Sequence, residues 1–329
     1  MVSPFIPSSL SPVFRVGPVP VYGDLVLAPM DGYSDLPFRV LCRELGSAMS
    51  YTEFINALDI LQSNPLVGKK LEFLDQEQPV AFQIFDSEPD RLVEAALRLC
   101  QRGPAIIDIN LGCSDKHVSG RGAGAGLLRT PLKIARIFRK LTRVLDIPVT
   151  GKIRIGWDDQ SRNYLLVARI IEENGGSLIA VHGRTRQQAY HGQADWDAIA
   201  EVRQAVSIPV IANGDVATVA DIQRIKEHTG CPAVMIGRGA VSNPWIFSRL
   251  DREQVSTEQV RAILRRHLQL NQSFYGPERG LVFLRKYANR YLRLTSLPVE
   301  LRKTLLTITQ ADQFLAQIEQ VLDGSHYLL

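Results

Sequence analysis

Ile106-Ile107-Asp108-Ile109-Asn110-Leu111-Gly112-Cys113-Ser114 is the stretch on which the reading of the fold turns. Apolar residues run up to a polar Asn110, Gly112 releases the chain, and a thiol follows. This reads as a short buried strand whose C-terminal tip delivers one cysteine. Seven further runs of the same kind surround it. The strand candidates are 24–29, 48–53, 79–84, 105–110, 148–153, 177–182, 208–212 and 231–237, rich in Val and Ile and bounded by Gly, Pro or Asn. Helical patterns lie between them, at 89–101, 131–145, 163–174, 195–206 and 219–228. Eight strand-like runs separated by helices predict an α/β fold, a closed (β/α)8 barrel. The alternative, an open doubly wound sheet, wants a Gly-rich loop after the first strand. Here that strand ends in Ala28-Pro29-Met30-Asp31-Gly32, which is no dinucleotide fingerprint.

The 329 residues allow a large domain and a smaller one. After Trp245 the strand-like runs stop and helical periodicity continues, with Ser256-Thr257-Glu258-Gln259 as a helix start. The expected division is an N-terminal extension over 1–20, a barrel over 21–252 and a helical domain over 253–329. Composition is that of an ordinary globular chain, 45% hydrophobic and 22% charged. The net charge of +4 is compatible with a polyanionic partner. Cys42, Cys100, Cys113 and Cys231 are scattered and form no C-x-x-C pair, which argues against a metal site and a disulfide framework. Residues 1–20 lack a basic segment followed by an apolar run, and nowhere is there an apolar stretch of membrane-spanning length. A cytoplasmic monomer with a loosely held N-terminus is expected.

Function in such a barrel sits at the C-terminal ends of the strands. Nearly every predicted tip carries polar residues: Met30-Asp31, Glu53, Gln83, Asn110 with Cys113, Lys152-Ile153-Arg154, His182-Gly183-Arg184, Asn213-Gly214-Asp215 and Gly237-Arg238-Gly239. The last two form a phosphate-binding pattern. Their glycines let backbone N–H groups approach phosphate oxygens, and Arg238 supplies a fork of donors. Lys152, at a barrel mouth, needs a counter-charge or a lowered pKa. It fits a Schiff-base lysine, a phosphate ligand or the partner of an anionic ring. His182 fits either the site or a satisfied core position, and Gln83 suits the edge of a ring or a buried structural role. Cys113 lies in a Gly-rich loop, 112–126, that reads as mobile. A thiol of ordinary pKa is protonated at neutral pH and acts as a general acid. A nucleophilic role requires a nearby base, for which His117 is the neighbour in sequence.

Taken together, Leu27-Ala28-Pro29-Met30-Asp31-Gly32, Ile107–Cys113, Gly151-Lys152-Ile153-Arg154, Val181-His182-Gly183-Arg184-Thr185, Ile211–Asp215 and Met235–Gly239 resemble the tRNA-dihydrouridine synthase family. The likeness runs from about Gly23 into the C-terminal helices. Phe274-Tyr275-Gly276-Pro277 and Arg285-Lys286-Tyr287 resemble the helical domain of its bacterial B-type members. The resemblance implies an FMN-dependent oxidoreductase that uses NADPH to reduce uridines in the D-loop of tRNA. By that likeness Pro29, Met30, Asp31, Gln83, Lys152 and His182 line the flavin. Asn213, Gly214, Asp215, Gly237 and Arg238 hold its phosphate, and Cys113 is the proton donor to C5 of a uracil that receives hydride at C6. The family's Gly-Cys-Pro is Gly112-Cys113-Ser114 here, which leaves the loop without a fixed φ.

The target base must leave the tRNA stack, at a cost of about a few kcal/mol. The helical domain is expected to hold the tRNA. Arg261, Arg265, Arg266, Arg279, Arg285, Lys286, Arg290, Arg293, Arg302 and Lys303 face few acids in that span, essentially Glu278 and Glu300. Arg285, Lys286 and Arg290 are the expected tRNA contacts, while Tyr275, Tyr287 and Tyr291 read first as core. Two rivals stay open: a dihydroorotate dehydrogenase-like FMN barrel acting on a free pyrimidine, and a tRNA-binding chaperone without chemistry.

Overall fold

The computed structural model describes residues 11–293, 295 and 297–323. Strands β1 (Phe14–Val16) and β2 (Val19–Val21) form an antiparallel hairpin, and β3 (Leu25–Leu27) begins the barrel. The second barrel strand is broken into β4 (Ser50–Tyr51) and β5 (Ile55–Asn56). The others follow as β6 (Val80–Phe85), β7 (Ile106–Leu111), β8 (Val149–Arg154), β9 (Ile179–His182), β10 (Val210–Asn213) and β11 (Ala233–Ile236). All barrel pairings are parallel, in the order β3-β11-β10-β9-β8-β7-β6-β4. At the remaining seam Ala48 N–H donates to Leu25 O at 2.7 Å. This nearly closed ring, with helices between strands, is the (β/α)8 barrel that the alternating runs predict.

Strand side chains alternate between two apolar clusters, as the two-residue period requires. Leu25, Leu27, Phe82, Ile84, Ile107, Ile109 and Leu111 join the cluster beneath the surrounding helices. Val26, Ala28, Ala81, Ile106, Ala180, Ile211, Ala233 and Met235 form the second, inside the barrel. Phe14, Val16 and Val21 of the hairpin belong to this inner cluster and are buried. The expected loose extension over 1–20 is therefore a packed element from Phe14 onward, because a barrel interior must be sealed from water at one end. Residues 1–10 lie outside the described residues.

Four helices follow the barrel: Thr257–Tyr275, Pro277–Leu292, Val299–Thr307 and Ala311–Leu322. Ser256 caps the first, with Gln259 completing the capping box. Gly276 turns the chain with φ of 89°, and Gly280 lets the second helix approach the first: a Cβ there would stand 2.7 Å from Gln272 N. Tyr287 and Tyr291 are fully buried, as the core reading expects. Tyr287 stacks on Phe38, at 4.8 Å between centroids, and Trp245 meets Tyr291 edge-on at 5.9 Å. This helical pair is thereby fastened to the barrel helix Leu36–Glu44. Among the described residues no helix is long and apolar enough to cross a membrane.

Candidate active site

Interior positions of the barrel change from apolar to polar on approaching the C-terminal tips. Gln83, Asp108 and Thr150 share one register level, and Asn110 and Lys152 stand opposite each other one level higher. Arg154, His182, Asn213 and Met235 follow around the rim. These are the same alternate positions that carry Ala81, Ile106, Ala180, Ile211 and Ala233 further down.

A directional hydrogen-bond chain ends on the Cys113 loop. Thr150 Oγ1 and Gln83 Nε2 donate to the two oxygens of buried Asp108, at 2.5 and 2.7 Å. With its amide nitrogen thus committed, Gln83 presents Oε1 to Asn110 Nδ2 at 2.8 Å. Asn110 must then turn its own oxygen to the loop, where it accepts from Gly112 N–H at 3.1 Å and Cys113 N–H at 2.8 Å. Burial pushes the Asp108 carboxyl up to about 6, against the donors that hold its anion, so it is mostly ionised at pH 7. Arg154 adds a grip from the neighbouring strand tip, Nε to Gly112 O at 2.8 Å.

The loop is packed, contrary to its mobile appearance in sequence. Ala123, Ala125, Leu127 and Leu128 are buried, Ala125 N–H donates to Cys113 O, and Gly124 lies where a Cβ would press on the cysteine's own Cβ. Asn110, Arg154 and Gly124 thus fix the backbone that a proline at 114 would otherwise restrain. Burial raises the Cys113 thiol above its ordinary 9.0, opposed by the Asp115 N–H. His117 is exposed on the short helix Lys116–Ser119 and makes no hydrogen bond to the thiol, so the arrangement favours an acid over an activated nucleophile.

Lys152 is half-buried and donates to Asn213 Oδ1 at 3.0 Å. Asn213 Nδ2 continues to Met235 O. Burial, with Arg154 nearby, lowers the Lys152 ammonium to about 8, while Asp108 opposes the shift. His182 is pressed well below its usual range by burial and by Arg154, Lys152, Arg184 and Arg238. Burial and these cations all disfavour its protonated form.

The β10 and β11 tips are built for an anion. Among the described residues the backbone N–H groups of Gly214, Asp215, Gly237, Arg238 and Gly239 have no acceptor within the chain. Gly214 (φ 131°) and Asp215 (φ 56°) adopt left-handed backbone. The Asp215 carboxylate itself turns away to Arg184 Nη2, at 2.6 and 2.7 Å, and to Ala194 N–H. Arg184 is the hub that sequence reasoning misses. It is buried, also donates to His191 O and Gly192 O, and stands 3.4 Å from His182 Nε2. Its signal is the His182-Gly183-Arg184 tip, where Arg184 repeats the interior parity of Ala180 and His182 two residues beyond the end of the strand.

The β3 tip adjoins that of β11. Met30 lies against Gly237, while Asp31 is exposed and paired with Lys70 at 2.5 Å. Gly32 is held from both sides: its N–H donates to Glu53 and its carbonyl accepts from Lys286 Nζ. Pro29 is half-buried beside them.

A family model described as dihydrouridine synthase matches residues 26–325. The chain belongs to the dihydrouridine synthase family. It is 39% identical over 316 residues to tRNA-dihydrouridine synthase B of Pseudomonas aeruginosa, covering 94% of this chain and 95% of that protein. It is 34% identical to tRNA-dihydrouridine synthase B of Vibrio parahaemolyticus, covering 94% and 99%. Histamine dehydrogenase from Rhizobium sp. 4-9 shares the fold, with a TM-score of 0.55 at 12% identity over 78% of this chain and 50% of that one.

In this family member the basic C-terminal run is more neutralised than its local sequence suggests. Arg261 meets Glu258, Glu319 and Asp323; Arg265 meets Glu319; Arg266 meets Glu44; and Lys303 meets Glu300. Of the three expected tRNA contacts, Arg285 is turned inward to Ile308 O and Lys286 to Gly32 O, leaving Arg290 exposed. Arg279, Arg290, Arg293 and Arg302 have no carboxylate partner among the described residues.

Proposed function

We propose that this chain is a tRNA-dihydrouridine synthase that uses FMN and NADPH to reduce the 5,6 double bond of uridines in the tRNA D-loop, with Cys113 as the acid. The observation that carries the reading is the Cys113 loop at the barrel mouth, oriented by Asn110, in a chain of this family. The residues fit FMN. Five free backbone N–H groups and Arg238 suit its phosphate, and the spare amide hydrogen of Gln83 and the Lys152 ammonium suit the polar edge of its ring. Pro29, Met30, Asp31, His182 and Asn213 complete the proposed lining. When bound, FMN supplies the hydride that NADPH provides and C6 receives. Lys152 would hold positive charge for the ring's carbonyl edge, and Cys113 Sγ would give its proton to C5, leaving a thiolate. The exposed arginines of the helical part attract the phosphate backbone.

The test is Cys113→Ala. The variant is expected to purify with its flavin absorbance intact, to oxidise NADPH, and to form almost no dihydrouridine on unmodified tRNA. Full dihydrouridine formation would remove Cys113 from the mechanism, and a wild-type protein that takes up no flavin would remove the whole reading.

A further inference from the structure

A second cluster stands on the barrel rim beside the Cys113 loop. Trp157 follows β8, and two guanidinium groups lie against its ring: Arg186 at 4.6 Å and Arg129 at 5.0 Å from the centroid. Neither arginine meets a carboxylate within bridging distance among the described residues. Arg186 donates through Nε to Ser119 Oγ at 3.1 Å, on the Cys113 loop, and keeps its remaining donors free. Arg129 is exposed and makes no side-chain hydrogen bond. Lys116 and Arg121, on the same loop, are likewise exposed and without acidic partners. Four cations without an ion-pair partner among the described residues thus share one stretch of rim, with Asp158 as the acid near Arg129.

Next to Trp157 is a cavity of about 470 Å³ lined by Leu128, Arg129, Trp157, Arg162 and Asn163 among others. Asn163 donates through Nδ2 to Leu128 O at 2.7 Å, but its Oδ1 is buried and receives no hydrogen bond. Guanidinium groups stacked on an indole, with further cations beside them, are parts of a surface that takes RNA phosphates and, where an arginine plane or the ring is uncovered, a base.

We infer that the Arg129–Trp157–Arg186 rim is a second RNA-binding surface, which holds a nucleotide flanking the one that enters the barrel. The inference rests on the tRNA reading above. It gives the substrate two anchors, one on the helical part and one on the barrel. The rim is tied to the acid's own loop through Arg186 and Ser119, so a nucleotide seated there borders the reacting position.

The experiment measures binding of an unmodified tRNA transcript across salt concentrations for wild type, Arg129→Glu and Trp157→Ala. Arg129 is exposed and unbonded, so its reversal leaves folding intact. Arg129→Glu is expected to weaken binding about tenfold near physiological salt. Its slope of log affinity against log salt should flatten by about 0.7–0.9 for each phosphate that is no longer neutralised. Trp157→Ala is expected to weaken binding with the slope retained. Affinity and slope equal to wild type in both variants would overturn the inference. So would a change confined to the KM for NADPH, which would assign the rim to the dinucleotide's phosphates. Failure of the wild type to bind tRNA would instead strike the functional reading itself.

Discussion

Asn110→Ala tests the orientation chain behind the proposed acid. The substitution removes one donor and one doubly used acceptor. Gln83 Oε1 is left without its partner in a fully buried position, and the N–H groups of Gly112 and Cys113 lose their acceptor in a partly buried one. A buried orphan costs roughly 1–3 kcal/mol, and each of the two loop bonds contributes about 0.5–1 kcal/mol because water reaches that side, for a total near 3 kcal/mol. Thermal unfolding should then fall by several degrees, and a cycle with Gln83→Ala should reveal coupling of about 1 kcal/mol between neighbours that share a bond. The chemical consequence is larger than the thermodynamic one. A loop displaced by about 1 Å costs on the order of 100-fold in a positioned proton transfer. Dihydrouridine formation should drop by that order, and iodoacetamide should alkylate Cys113 several-fold faster as the thiol loosens. A variant with wild-type melting, alkylation and turnover would refute the idea that Asn110 aims the loop.

Three further outcomes follow from the same geometry. Arg39 and Glu77 form a fully buried pair at 2.7 Å, so Arg39→Met should cost about 3–5 kcal/mol, read as a large loss in thermal midpoint; a loss below about 1 kcal/mol would contradict it. Lys152, lowered to about 8, is charged below that pH and neutral above it, so turnover should decline as pH rises through 8, ahead of the thiol's own deprotonation above 9.0. Lys152→Arg should move that first decline upward, and an unmoved limb would exclude the ammonium charge as its source. Reversal of Arg290 and Arg293 should weaken tRNA binding at unchanged melting temperature. Reversal of Arg285 or Lys286 should lower the melting temperature first, because they hold Ile308 O and Gly32 O.

The barrel was legible because its signal is local. Each strand alternates helix-facing and interior residues, and the interior set reads Ala81-x-Gln83, Ile106-x-Asp108-x-Asn110, Thr150-x-Lys152-x-Arg154 and Ala180-x-His182, apolar or small below and polar above. That parity brings Gln83, Asn110, Lys152, His182 and Asn213 to one mouth without any knowledge of tertiary contacts. Asp108 was harder to see, since one acid inside an apolar run looks like an interruption until its two donors arrive from neighbouring strands. Arg184 keeps the interior parity of Ala180 and His182, but it lies beyond the last residue of its strand, where the two-residue alternation no longer tells which way a side chain points. The charge of the C-terminal helices was misjudged for a different reason. Arg266 is neutralised by Glu44, 222 residues away, and Arg265 by Glu319, 54 residues on. No window of sequence reports such pairings, and the same holds for the Phe14–Val21 hairpin that seals the barrel floor.

The proposed choice of Cys113 as acid rests finally on what its neighbours are unable to give. His182 has a ring at the mouth, but burial and four surrounding cations disfavour its protonated form, the form that could give up a proton. Asp108, raised to about 6, is mostly ionised at pH 7, and it is enclosed by Gln83 and Thr150. Lys152 is the serious competitor, since an ammonium near 8 is a better acid than a thiol raised above 9.0. Position separates them. Lys152 is tied to Asn213 beside the β10 and β11 tips, whereas Cys113 rides on a separate loop with an orientation chain of its own. A lysine that gave up its proton there would also surrender the positive charge on which an anionic ring depends. The thiol leaves as thiolate beside Arg154, whose guanidinium lies near enough to favour the negative form. In the proposed reading one cation would serve the ring and another the thiolate that the thiol becomes, a division of labour that a single lysine cannot perform.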